Sequence, residues 1–163
     1  MKKLMFVVLC GLMAGCEYTV PLLKNPETAI DRSILGLWQR TKEDGQIEQL
    51  CVLPLDQKEY LVSYPSGVKT SMFARACLCS AAGKPLVQLE WVGTGEGKLV
   101  EDNRAFQFVT YSLGGDTLTV RLLNSDLVSK DLTSSAELGK SIAANKDSAN
   151  LFKEPMVFTR VKS

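Results

Sequence analysis

From Gly36 onward apolar residues recur at every second position, and this period of two is the tightest constraint on what the chain can fold into. Successive side chains of a strand point to opposite faces, so alternation marks a sheet with one dry face and one wet face. In PLVQLEWVG, residues 85–93, Val87, Leu89 and Trp91 share a face while Gln88 and Glu90 take the other. In RAFQFVTY, residues 104–111, Phe106 and Phe108 oppose Gln107. In DTLTVRLLN, residues 116–124, Leu118, Val120 and Leu122 oppose Thr117, Thr119 and Arg121. The pattern predicts strands near 36–42, 46–53, 59–64, 69–80, 85–92, 104–112, 116–123 and 155–161, separated by turn-forming runs such as Glu43-Asp44-Gly45 and Gly114-Gly115-Asp116. Short hairpins between strands with one apolar face imply an antiparallel sheet. Eight such strands close most simply into an up-and-down barrel, which removes exposed edges. The expected class is therefore mainly β.

Two helices are expected beside the strands. At Asn25-Pro26-Glu27, Asn suits a cap, Pro the first helical position and the acid the positive end, which predicts a short helix over 26–35 carrying Ile30, Ile34 and Leu35. Ser134-Ser135-Ala136-Glu137 is a capping box that opens a helix over 135–145, with Leu138 and Ile142 on one face. Leu151 and Phe152 are expected to help pack this region against the sheet, and Pro155 opens the last strand.

The N-terminus carries an address. Lys2 and Lys3 precede an uncharged stretch, LMFVVLCGLM at residues 4–13, followed by small residues Ala14 and Gly15. This is the layout of an export signal, and it falls short of the roughly 20 apolar residues a membrane-spanning helix needs. Leu12-Met13-Ala14-Gly15-Cys16 resembles the lipobox of bacterial lipoproteins, with Met13 where that family most often has leucine. The resemblance implies that the Cys16 thiol receives a diacylglycerol, that the bond before it is cut and that the new amine is acylated. It divides the chain into a signal peptide at 1–15, a lipidated tether at 16–25 and a barrel domain at 26–163. Two or three acyl chains give stable attachment where one holds only marginally. Glu17 is not the aspartate that often retains such proteins on the inner membrane, so the implied location is the outer membrane, facing the periplasm.

Charge and composition exclude several functions. The chain has 19 basic and 18 acidic residues. Loss of residues 1–15 removes Lys2 and Lys3 and no acid, leaving 17 against 18. That balance argues against nucleic acid as a partner. The chain contains no histidine, which excludes a Ser-His-Asp triad, a Cys-His pair and a histidine metal site. Carboxylate-only and lysine-based chemistry stay open.

At Gly36-Leu37-Trp38 the sequence resembles the lipocalins, barrels that carry Gly-x-Trp on the first strand after a short helix. They also have a helix before the closing strand and a late arginine packed over the tryptophan. The resemblance implies that Trp38 and Arg160 form a barrel-closing pair and that the interior holds an apolar ligand. Its matched motifs are Gly-x-Trp and one arginine; the Thr-Asp-Tyr motif of that family is missing.

Other constellations have plainer readings. GTGEGK, residues 93–98, lacks the first glycine and the Ser or Thr of a phosphate loop, so it reads as a hairpin loop. With residues 99–103 it is expected to form one long mobile connection at a barrel mouth. Cys77 and Cys79 share one strand face. A metal site with Cys51 matches no zinc spacing. A Cys51 disulfide is chemically allowed outside the cell, but a simple meander places a strand between, about 10 Å across. Inert, partly buried thiols are the favoured reading. The opposite face, Met72, Ala74, Ala76 and Leu78, is expected to look inward, its alanines leaving room. Asp44, Glu48, Glu59, Glu90, Glu101 and Asp102 are read as solvated surface.

These features converge on a non-enzymatic, lipid-anchored envelope lipoprotein that needs no cofactor or metal and binds a hydrophobic small molecule or lipid. The candidate ligand-lining residues are Trp38, Met72, Leu89, Trp91, Phe106, Phe108, Val120 and Phe158. The alternative is an assembly accessory or inhibitor that contacts an envelope protein through its outer surface, with a packed interior.

Overall fold

The computed structural model describes residues 18–100 and 104–162. Eight antiparallel strands form a closed barrel in sequence order: β1 (Gly36–Thr41), β2 (Ile47–Pro54), β3 (Glu59–Tyr64), β4 (Met72–Ala81), β5 (Lys84–Thr94), β6 (Phe106–Gly114), β7 (Thr117–Leu122) and β8 (Met156–Arg160). Closure runs through Trp38 opposite Arg160 and Gln39 opposite Thr159. The inner face collects the alternating residues of every strand: Trp38, Val52, Tyr60, Val62, Ala74, Ala76, Leu89, Trp91, Val109, Leu118 and Phe158 make one buried cluster.

The expected helix over 26–35 is not formed. A single 3₁₀ turn, Arg32–Ile34, stands in its place. Asp31 rather than Asn25 is its cap, accepting from the Ser33 N–H at 2.9 Å. The chain here is used to close the barrel, and the closing contacts override helix propensity. The Asp31 N–H donates to the Tyr60 hydroxyl at 2.6 Å and the Tyr111 hydroxyl donates to the Asp31 carboxylate at 2.8 Å. Ile34 is buried in the core and its carbonyl accepts from the Trp38 indole at 2.9 Å. This end, which also carries the β2–β3, β4–β5 and β6–β7 turns, is the floor of the barrel.

The Gly-x-Trp segment has a physical reason at that floor. Gly36 has φ +128°, and a Cβ there would come within 3.1 Å of the Arg160 guanidinium. A glycine lets Arg160 lie 4.1 Å over the Trp38 ring and donate to the Leu35 and Ser33 carbonyls at 2.8 and 2.7 Å.

A second apolar cluster lies outside the barrel. The helix α1 (Ser135–Ala144) is capped by the Ser134 hydroxyl, which accepts from the Glu137 N–H, while the Glu137 carboxylate accepts from the Thr133 N–H. Its buried residues Leu138 and Ile142 pack with Leu86, Phe108, Leu123, Val128 and Leu151. Tyr18 joins them, stacked edge-on against Phe108 with ring centroids 5.3 Å apart. The segment read as a tether therefore departs from expectation from residue 18 onward. Tyr18 is 1% exposed and pairs with Phe106 through two backbone hydrogen bonds of 3.0 Å. The Gln88 side chain accepts from the Leu22 and Leu23 N–H groups and donates to the Leu23 carbonyl. A polar residue on the outer face of a strand here fastens a strap of backbone.

Candidate functional site

The barrel encloses a cavity of about 260 Å³. Ile34, Tyr60 and Leu118 line it towards the floor, and Val52, Val62, Ala76, Val87, Leu89, Val109 and Val120 form much of its wall. Ala76 and the neighbouring Ala74, both buried, supply little volume, so space remains between the larger side chains. At the other end the lining becomes partly polar: Arg40, Tyr64, Gln107, Lys153 and Glu154 join Met72, Trp91 and Phe158. This is the end that carries the β1–β2, β3–β4 and β5–β6 loops and the long β7–β8 connection.

A charged cluster holds the mouth. Arg40 donates from Nη2 and Nε to one Glu48 oxygen at 2.7 and 2.9 Å. Lys42 stands 3.4 Å from the other oxygen, and the Tyr64 hydroxyl also donates to this carboxylate. Burial opposes ionisation of Glu48, but the Tyr64, Arg40 and Lys42 contacts prevail and hold its carboxyl below the usual value. Burial and the adjacent Glu48 push the Tyr64 phenol up, so it stays a donor. The Arg40 guanidinium also lies 5.6 Å over the Phe158 ring, joining the charged mouth to the apolar interior. Glu48 is thus not solvated surface as expected; its side chain is 19% exposed and fully paired.

The expected ligand-lining set is divided by the structure. Met72, Leu89, Trp91, Val120 and Phe158 line the cavity. Trp38 is buried in the same core, beneath Arg160, without reaching the cavity wall. Phe106 and Phe108 are corrected: both belong to the outer cluster under α1, and Gln107 between them faces inward. The alternation in this strand was legible but its phase was not, because α1 and Tyr18 make the outer face the more apolar one. Arg40, Glu48, Tyr60, Tyr64 and Gln107 were missed as inward residues. Their signal was phase: Arg40 is two residues from Trp38, and Glu48 is two and four from Leu50 and Val52.

Elsewhere, a wider cleft of about 720 Å³ separates the strap at Leu22, Leu23 and Glu27 from the floor-end rim at Pro85 and Thr110. Cys51, Cys77 and Cys79 are free thiols. Burial is the main cause that raises the Cys77 thiol to about 11 and the Cys79 thiol to about 12. Among the described residues no group of His, Cys, Asp or Glu could hold a metal ion, and no helix is long and apolar enough to cross a membrane. Over 93–98 the chain is not a loose loop as expected: Gly93 and Thr94 end β5, Gly93 pairs with Leu99, and a tight turn between them has the Thr94 N–H donating to the Lys98 carbonyl at 2.9 Å. Residues 101–103, with Glu101 and Asp102, lie outside the described set, as does Cys16.

Fold and site together define a closed eight-stranded antiparallel barrel with a small apolar interior, shut at the floor and lined by paired charges at the mouth. Compared with known proteins, the chain matches no family model, no curated protein and no solved structure significantly.

Proposed function

We propose that this protein is a non-enzymatic, lipid-anchored envelope lipoprotein whose barrel holds an apolar small molecule or lipid, as a lipocalin does. The observation that carries the reading is the 260 Å³ cavity with an apolar wall inside a closed barrel. Binding sites for small molecules begin at about 300 Å³; at about 260 Å³ the interior falls just short of that range and has room for a ligand at the small end only. The anchor rests on the lipobox at Cys16 and the export signal before it. Two residues span at most about 7 Å, so an anchor at Cys16 would sit close to the buried Tyr18 and hold the barrel near the bilayer rather than on a long leash.

The alternative, a surface that contacts an envelope protein, is favoured by the exposed apolar side chains Ile47, Leu53, Leu55 and Val157.

Two experiments test the reading. Mass spectrometry of the mature N-terminus should find a diacylglyceryl cysteine at position 16, and Cys16→Ser should leave a soluble, unlipidated precursor. An unmodified N-terminus, or a Cys16→Ser protein that fractionates with membranes like wild type, removes the anchor. For the cavity, native mass spectrometry of protein made without its signal should detect a bound apolar molecule. Ala76→Phe, which fills the interior, should abolish that adduct. An empty barrel in both proteins favours the surface role.

A further inference from the structure

The cavity wall contains one polar side chain that the protein does not satisfy. Gln107 is 3% exposed, and among the described residues its Nε2 is the buried side-chain atom with no hydrogen-bond partner. The orientation of its amide is set by chemistry. The Trp91 indole Nε1 donates to Gln107 Oε1 at 3.2 Å. An indole nitrogen can only donate, so the amide oxygen must face it, and turning the amide over would set two donors against each other. The –NH₂ group is therefore left as a donor in an apolar wall beside Leu89 and Val109. A buried donor without an acceptor destabilises the fold, and native proteins rarely keep one without a use.

The mouth narrows the class of acceptor. Its charges are balanced, three cations against three anions: Arg40 and Lys42 are committed to Glu48, Lys42 also lies 3.9 Å from Asp44, and Lys153 lines the cavity next to Glu154. A ligand carboxylate entering here would approach the Glu48 carboxylate and find Arg40 already engaged. An uncharged oxygen meets no such opposition. The volume adds a size limit. At about 30 Å³ for a water-sized group, 260 Å³ holds on the order of eight or nine non-hydrogen atoms.

We infer that Gln107 is the polar recognition point of the barrel, its Nε2 donating to the carbonyl oxygen of a small, uncharged, otherwise apolar molecule such as a medium-chain ketone, ester or amide. The inference rests on the cavity being a ligand site, and it adds what the ligand must carry. It also gives Trp91 a positioning role, since the indole holds the amide with its donor turned away.

The test uses three probes of matched size on protein made without its signal: 2-octanone, nonane and heptanoate. Binding is read by calorimetry and by the fluorescence of Trp91 in the cavity wall. Measured against each probe's own transfer from water to hydrocarbon, which favours the alkane because the ketone carbonyl must be desolvated, the ketone should bind roughly ten-fold more tightly than the alkane, as expected when a buried donor gains an acceptor, and it should bind more tightly than the carboxylate. Gln107→Leu should erase the preference for ketone over alkane while keeping alkane binding. Wild-type affinities for ketone and alkane that differ only as those transfer free energies do would overturn the role of Gln107 and leave the cavity as an apolar site. Tighter binding of heptanoate would overturn the uncharged class. Binding of none of the three would overturn the ligand-site reading itself. The wild-type comparison stands even where the variant fails to fold.

Discussion

Replacing Arg160 by alanine should unfasten the barrel floor. In the native protein this guanidinium donates to the Leu35 carbonyl at 2.8 Å and the Ser33 carbonyl at 2.7 Å while lying 4.1 Å over the Trp38 ring. A hydrogen bond from a charged donor contributes about 1.5–3 kcal/mol. The bond to Leu35 is partly buried and takes a middle value, and the exposed bond to Ser33 takes less. The stacking on Trp38 adds about 0.5–2 kcal/mol. Together these come to about 3–4 kcal/mol, which lowers Tm by roughly 10 °C in a domain of this length. Thermal unfolding followed by circular dichroism measures the shift. Arg160→Lys keeps the charge but loses the planar fork, so it should recover less than half. Asp116→Ala removes an exposed carboxylate 3.8 Å from Arg160 and its exposed ion pair with Lys162 at 2.9 Å, which should matter little. A Tm for Arg160→Ala within about 2 °C of wild type, near a contribution of only 1 kcal/mol, would refute the clamp and leave β1 and β8 held by backbone pairing alone.

Three further outcomes follow from the same geometry. Phe108→Ala opens a void between the barrel and α1 and should cost about 3–5 kcal/mol in chemical denaturation; because Phe108 lies outside the barrel, loss of cavity binding in a still-folded variant would count against its placement. Cys77 and Cys79, with thiols raised to about 11 and 12, should react with a thiol reagent at pH 8 far more slowly in native than in denatured protein, as measured by mass spectrometry of the labelled peptides. Glu48, whose carboxyl is held below its ordinary 4.5, stabilises the fold above that value and loses this contribution as pH falls through its lower folded value. The stability advantage of wild type over Glu48→Gln should therefore be full at pH 7 and shrink below about 4.5; an advantage independent of pH would refute the pairing at the mouth.

Much of the architecture was legible because it is written in short-range terms. Period-two alternation depends only on successive Cβ directions, so the strands and their turns could be placed from the chain alone, as could the Ser134 cap of α1. The eight-stranded antiparallel closure followed from the number of strands and the cost of open edges. The Gly-x-Trp and the late arginine were visible as a pattern, and the structure supplies the reason, since Gly36 leaves the space in which Arg160 reaches Trp38.

What alternation cannot say is which of two faces is the inside when both are buried. At β6 an outer layer of Tyr18, α1 and the 123–128 connection covers Phe106 and Phe108, so the aromatic residues face out and Gln107 faces in. The same reversal hid Arg40 and Glu48, polar residues whose phase is inward because they pair with each other at the mouth. The strap from Tyr18 to Ile30 has no period of its own; it is positioned by Gln88, by the Phe106 backbone and by Gln57, each distant in sequence. Local chemistry determined the strands and where they turn, whereas burial is set jointly by segments far apart in the chain, and only the assembled barrel decides which face stays wet.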